Sequence, residues 1–274
     1  MKTRRIWFLA AVFALVFFGF GWAAATDKTI TLATTTSTVD TGLLDYLLPT
    51  LKADTGIEVK VVYAGTGKAL EIAKNGDADV VLVHARSMED KFIADGYGMD
   101  RKDVMYNNFL LIGPKKDPAK IKGMKDVVAA FKKIADKKAL FISRGDKSGT
   151  HVKELEIWKA AGITPAGEWY LESGAGIGPT LLLAYEKDAY TLSDDSTYFD
   201  FTLGKKIDLP IMVQGDKNLF NQYGIILVDP KKVPTAKYDD AKIFADWLTG
   251  EKGQKLIAEF KKFDKQLFFP NAPK

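Results

Sequence analysis

Five hydroxyl side chains stand in one uninterrupted run, Thr34-Thr35-Thr36-Ser37-Thr38. A β-like stretch, Lys28 to Ala33, leads into it, and an amphipathic stretch, Gly42 to Ala53, follows it. The hydroxyls therefore sit where a strand ends and a helix begins. Helix N-termini carry unpaired backbone N–H groups and a partial positive charge. Hydroxyls placed beside them add neutral donors, and the combination can hold an anion without a full counter-charge. A helix cap alone needs one hydroxyl. Five exceed that need.

A second segment has the same setting. Ser143-Arg144-Gly145-Asp146-Lys147-Ser148-Gly149-Thr150-His151 follows a strand-like run and opens a helix. Arg144 offers a planar fork of donors suited to an oxyanion. Ser148, the amide of Gly149 and Thr150 would face the same point, and Asp146 could hold Arg144 in place. A third segment, Ala64-Gly65-Thr66-Gly67-Lys68, superficially resembles a phosphate loop. It lacks the full pattern, since Val62 stands where the first Gly should be and Ala69 replaces Ser or Thr. It reads either as a lesser anion-facing turn, supplying N–H groups and the Thr66 hydroxyl, or as a structural turn. A fourth segment, Ser173 to Thr180, carries three alternate glycines that allow close backbone approach. Its candidate ligand-facing residues are Gly176 and Ile177, and a tight packing turn would fit the same residues.

Catalytic readings are thin. The two histidines are His84 and His151. Ser148 and His151 could suggest an exported hydrolase, but no G-x-S-x-G elbow surrounds them. His84 closes an apolar strand and reads as a structural hydrogen-bonding group. Two separate histidines and no cysteine make no metal cluster. Arg144-Gly145-Asp146 also spells an adhesion tripeptide, a short match of the kind chance supplies. The expectation is no enzyme, no cofactor and no bound cation.

Residues 1–25 read as a secretory signal peptide. Lys2, Arg4 and Arg5 precede an apolar core of 17 residues, Ile6 to Trp22, and Ala23-Ala24-Ala25 forms a small-residue cleavage site. Without cysteine there is no disulfide and no lipid attachment point. A freely diffusing periplasmic protein is expected. Removing the leader takes three basic residues and no acid, lowering the formal net charge from +4 to +1. Such a surface has no nucleic-acid footprint, so anion specificity must be local.

These segments need elements to position them. Strand-like runs at Ile30–Ala33, Val59–Tyr63, Val80–Val83, Val104–Ile112, Ala139–Ser143 and Gly224–Val228 alternate with helix-like runs. The helix-like runs are Gly42–Ala53, Lys68–Asn75, Ser87–Asp95 and Val152–Ala161, the first interrupted or kinked at Pro49. In the last, Val152, Leu155 and Trp158 share one face. Alternation of this kind predicts an α/β fold with substantially parallel sheets. In such sheets the ligand sits beyond the carboxyl ends of the strands, where all four segments lie. The mature chain of about 249 residues is long enough for two lobes.

The run Ala33 to Leu44 resembles the start of periplasmic tungstate-binding proteins of ABC importers. So do Asp79 to Arg86, Tyr106 to Pro114, Arg144 to Thr150, the glycine loop, Tyr190 to Asp194 and Trp247 to Gln254. The resemblance spans nearly the whole mature chain. It implies a two-lobed type II periplasmic binding fold with a ligand cleft between the lobes. Lobe I would comprise residues 26–112 and 224–274 and lobe II residues 113–223, with crossings near Ile112–Pro114 and Tyr223–Gly224. It implies an oxyanion held by Thr35, Thr36 or Ser37 from one lobe and by Arg144, Ser148 and Thr150 from the other. A monomer that delivers tungstate to an ABC permease is expected, with molybdate or phosphate as the alternative ligand. Family members often carry Arg where this chain has Asp195. Tungstate, molybdate and sulfate are unprotonated dianions at neutral pH, so a donor-only site suits them. A phosphate that keeps a proton needs an acceptor, for which Asp40 and Asp146 are candidates. The Arg144–Thr150 segment also resembles its counterpart in phosphate-binding proteins.

Overall fold

The computed structural model describes residues 28–273. The leader expected over residues 1–25 lies outside them. Strand β1 (Lys28–Thr35) is followed by a short helix α1 (Thr36–Asp40) and then by α2 (Leu43–Thr55). The hydroxyl run therefore ends the strand and forms its own helical turn, not the N-cap of α2. Gly42, at φ +83°, makes the break between the two helices. α2 continues through Pro49 without interruption. Pro49 and Asp45 are exposed, so water can take the Asp45 carbonyl that Pro49, having no N–H, leaves unpaired. Leu43, Leu44, Leu47 and Leu51 face the sheet.

Strand β2 (Ile57–Ala64), helix α3 (Thr66–Lys74), strand β3 (Val80–Val83) and helix α4 (Arg86–Ala94) complete a parallel unit. β1 pairs in parallel with β2 on one side and β3 on the other. The four residues of β3 are all buried, because helices cover both faces of a parallel sheet.

The long strand β4 (Gly98–Ile112) ties the halves together. From Gly98 to Asn108 it pairs antiparallel with β9 (Phe220–Val228). From Phe109 onward it pairs with β7 (Thr191–Asp194) and then β8 (Ile211–Val213). The change of partners thus falls earlier on β4 than the crossing expected near Ile112–Pro114. On β9 it lies near Asn221, which pairs with Asn107.

The second lobe adds α5 (Val127–Asp136), β5 (Phe141–Ser143), α6 (Gly149–Ala160), β6 (Tyr170–Glu172), α7 (Ile177–Glu186) and α8 (Asp195–Lys205). Its core is aromatic: Trp158 lies 4.4 Å from Phe131 and 5.4 Å from Phe141, centroid to centroid. The chain then returns through β9 to α9 (Tyr238–Thr249) and α10 (Glu251–Glu259), which pack on the first lobe with Phe244, Leu248 and Ile257 buried.

The buried face of α6 differs from the apolar face expected. Leu155 is exposed, whereas Glu154 is buried between Ile157 and Trp158. Its carboxyl accepts the Trp158 indole N–H at 3.1 Å and the Tyr170 hydroxyl at 2.8 Å. Burial pushes the Glu154 carboxyl up to about 7. Buried polar groups need such partners; Trp158 supplies one from the next turn of α6, and Tyr170 supplies the other from β6, beyond the reach of helical periodicity.

Candidate functional site

A tight cavity, with about 10 Å³ of room for water, is lined by Thr35, Thr36, Ser37, Gly65, Thr66, His84, Arg144, Ser148, Gly149, Thr150 and Asp194. Each lies at the carboxyl end of a strand or in the first turn of the helix that follows. The first six come from the first lobe and the rest from the second. The lobes meet tightly around it. A Cβ added to Gly65 would lie 3.3 Å from Ser148 Cα, and one on Gly67 would lie 3.4 Å from the Lys147 carbonyl.

On the first-lobe side the hydroxyls divide into two groups. Thr34 donates to the Leu82 carbonyl at 2.7 Å and Thr38 to the Thr35 carbonyl at 2.9 Å. These two fasten β1 to β3 and close the turn of α1. Thr35, Thr36 and Ser37 face the cavity. Ser37 Oγ is 3.1 Å from Thr35 Oγ1 and 2.9 Å from the Tyr223 hydroxyl, so both groups are held in place by neighbours. Thr36 makes no side-chain hydrogen bond among the described residues. Thr66, the first residue of α3, is fully buried, and its Oγ1 has no partner.

On the second-lobe side Arg144 is buried, 5 % exposed. Its Nη2 donates to Asp146 Oδ2 at 2.5 Å, and Asp146 Oδ1 accepts the Ser148 N–H at 3.1 Å. Arg144 Nε is buried without a partner. Ser148 caps α6, accepting the His151 N–H at 3.2 Å. Its hydroxyl proton stays available, as do the first-turn amides of Gly149 and Thr150.

The glycine loop is placed behind this arrangement. The Gly174 N–H and the Ser173 hydroxyl both donate to the Arg144 carbonyl, at 3.0 and 3.3 Å. Gly176 caps α7 and Ile177 packs into a core cluster with Leu181 and Phe201. Neither lines the cavity. Of the alternatives open for this loop, the geometry is that of a packing turn that steadies Arg144.

Two lining residues escaped the sequence reading. His84 stacks on Tyr223 at 4.7 Å, and its Nδ1 is 3.0 Å from Asn221 Oδ1. Asn221 Nδ2 donates to Asn107 Oδ1 at 2.6 Å, and Asn107 Nδ2 donates to Ser196 Oγ at 3.0 Å and toward Asp194 Oδ1 at 3.4 Å. Asp194 Oδ1 also accepts from the Ser196 hydroxyl and from the Thr197 N–H and hydroxyl. A buried polar chain thus runs from His84 across both crossing strands to Asp194. Burial holds the His84 imidazole below its ordinary range, with Arg144 and Lys153 acting the same way and Asp194 opposing them. No local signal marked either residue, since Asn221 is 137 positions from His84.

The other chemistries considered are poorly served. His151 Nδ1 accepts the Lys147 N–H at 3.0 Å, and Ser148 Oγ is bonded to the His151 main chain, not its ring. Arg144 of the Arg-Gly-Asp tripeptide is buried. Among the described residues no group of three or more His, Cys, Asp and Glu could hold a metal ion, and no helix is long and apolar enough to cross a membrane. Asp146 is engaged by Arg144, and Asp40 stands away from the cavity lining.

Comparison with known proteins places this chain in a family. A profile described as a PBP superfamily domain matches residues 23–252. A tungstate-binding protein TupA of Peptoclostridium acidaminophilum is 52 % identical over 249 residues, covering 89 % of this chain and 86 % of that protein. The crystal structure of the tungstate ABC transporter from Geobacter sulfurreducens is 52 % identical with a TM-score of 0.77, covering 85 % of this chain and 98 % of that one. The tungstate binding protein TupA from Desulfovibrio alaskensis G20 is 45 % identical with a TM-score of 0.77, covering 90 % and 100 %. With these identities over nearly its whole described length, the chain belongs to the PBP superfamily and, within it, to the family of the tungstate-binding proteins TupA.

Proposed function

We propose that the protein is an extracytoplasmic receptor that captures tungstate between its lobes and delivers it to an ABC permease. One observation carries this reading. Arg144 Nε and Thr66 Oγ1 are buried donors without partners, and both residues line one cavity, from opposite lobes. A buried unsatisfied donor costs about 1–3 kcal/mol. Two of them on residues that line one small cavity are explained by a ligand rich in acceptors. A tetrahedral oxyanion is such a ligand, and the hydroxyls of Thr35, Thr36, Ser37 and Ser148 and the amides of Gly149 and Thr150 supply further donors. The relatives named for tungstate support that ion, with molybdate, nearly the same in size, as its nearest rival. In this reading the protein is not an enzyme, carries no cofactor, acts as a monomer and reaches the periplasm through a leader cleaved after Ala25.

Phosphate has one observation in its favour. Asp194 puts a carboxylate on the cavity wall, and a carboxylate can accept the proton that hydrogen phosphate retains. Isothermal titration of the mature protein with tungstate, molybdate, sulfate and phosphate decides between them. Tight tungstate binding with no response to phosphate is expected. A response to phosphate alone would transfer the assignment to phosphate and the key role to Asp194. Silence toward all four would sink the receptor reading.

A further inference from the structure

The charges around the cavity do not balance for a dianion. Arg144 is the cationic side chain in the lining, and it is already paired with Asp146. Asp194 adds a negative charge to the wall. An oxyanion of charge two enclosed here would leave negative charge uncompensated, and buried charge is costly unless paired.

His84 lines the same cavity. The hydrogen-bond chain fixes its form. The Asp194 carboxylate only accepts, so Asn107 must donate toward it, Asn221 must donate to Asn107, and His84 Nδ1 must be the protonated nitrogen that donates to Asn221. The other nitrogen, Nε2, has no hydrogen-bond partner among the described residues. The ring lies against the start of α6, where a Cβ added to Gly149 would meet it at 2.6 to 3.0 Å.

We propose that His84 is an anion ligand: on binding, Nε2 takes one proton from solvent, and the resulting imidazolium donates Nε2–H to an oxygen of the anion. This rests on the oxyanion-receptor reading. The N–H bond forms on the imidazole lone pair, and the added positive charge offsets the Asp194 carboxylate. The groups facing the ring are Asp194 from β7, Arg144 from the loop after β5, Lys153 and Glu156 from α6, Arg86 from α4, Tyr223 from β9 and Lys217 before it. Burial, Arg144 and Lys153 keep the imidazole neutral in the empty cleft, below its ordinary 6.5. A bound dianion raises it. The binding contribution is therefore complete below the free-state value and fades as pH rises through the bound-state value, with a slope of up to tenfold in affinity per pH unit between them.

Asp195 is the competing proton acceptor. Its Oδ1 is buried without a partner, its Oδ2 accepts the Asn108 N–H, and burial with Asp194 pushes it up to about 7. The test is calorimetric titration of the mature protein with sodium tungstate in buffers of differing ionisation enthalpy, from pH 7 to 9. Uptake of up to one proton per tungstate, falling as the pH rises, is expected in the wild type and in Asp195→Asn, and near zero in His84→Gln. Undiminished uptake in His84→Gln, or uptake lost only in Asp195→Asn, would overturn the proposal. Nitrogen-15 imidazole spectra of the wild type give a second readout without any substitution. With two histidines in the chain, His84 should change from singly to doubly protonated on adding tungstate, and an unchanged His84 signal would also overturn it. Tungstate binding without proton uptake removes this proposal and leaves the receptor reading intact. No tungstate binding removes both.

Discussion

The two walls of the cavity solve one problem in different ways. The first-lobe wall is neutral. Thr35 and Ser37 are locked by each other and by the Tyr223 hydroxyl, while Thr34 and Thr38 anchor the backbone beneath them. The second-lobe wall is charged. Arg144 is gripped by Asp146 at the guanidinium and by the glycine loop at its carbonyl. Before an ion binds, the first-lobe wall supplies shape and neutral donors, and the second-lobe wall supplies the standing charge. An ion can thus be held strongly by a protein whose overall charge after loss of the leader is close to zero.

Breaking the charged wall should cost most. Arg144→Ala is expected to weaken tungstate binding at least a hundredfold, about 3 kcal/mol, the upper range for a hydrogen bond to a charged group. Arg144→Lys should lose less, about tenfold, and discriminate less well between oxyanions, because a point charge replaces a planar fork. Calorimetric titration of both variants checks this, and unchanged affinity in either would remove Arg144 from the site. Ser148→Ala touches both function and fold. It should weaken binding several-fold and lower stability by about 1 kcal/mol, since the α6 cap is lost with the donor. Paired titration and thermal melts would show the two losses together. The finest contrast lies within the neutral wall. Thr66→Val should weaken binding several-fold without loss of stability, because it removes an unsatisfied buried hydroxyl. Thr34→Val should do the reverse, lowering the melting temperature while leaving affinity within about twofold. Equal behaviour of the two threonines would erase the division between anchoring and ligand-facing hydroxyls.

Much of this was legible in the chain itself. The strand-to-helix positions of Thr34–Thr38 and Arg144–Thr150 are local signals, and strand-end geometry carries them to one place. The division of labour among the five hydroxyls was not legible, because it depends on the backbone forming a separate turn at Thr36–Asp40. Gly176 and Ile177 were expected at the ion and lie outside the cavity lining, since three glycines permit close approach without saying to what. His84 read as a structural histidine because its partner, Asn221, arrives from the far end of the chain. Asp194 offered no cue beyond a cap. Its carboxylate is recognisable as part of the wall only once β7 is paired with β4.

The near contact of Gly65 with Ser148 has one more consequence. Where the jaws meet, a Cβ on Gly65 would lie 3.3 Å from Ser148 Cα, so the main chain of α6 leaves no room there for a larger residue without a shift. The closed aperture is therefore a fixed gauge, like a caliper stopped at one setting. An ion too large would hold the jaws apart, and one too small would leave some oxygens unmet. Discrimination by radius can then arise from the stop itself, before any donor is chosen. Gly65 would be the residue on which that setting turns.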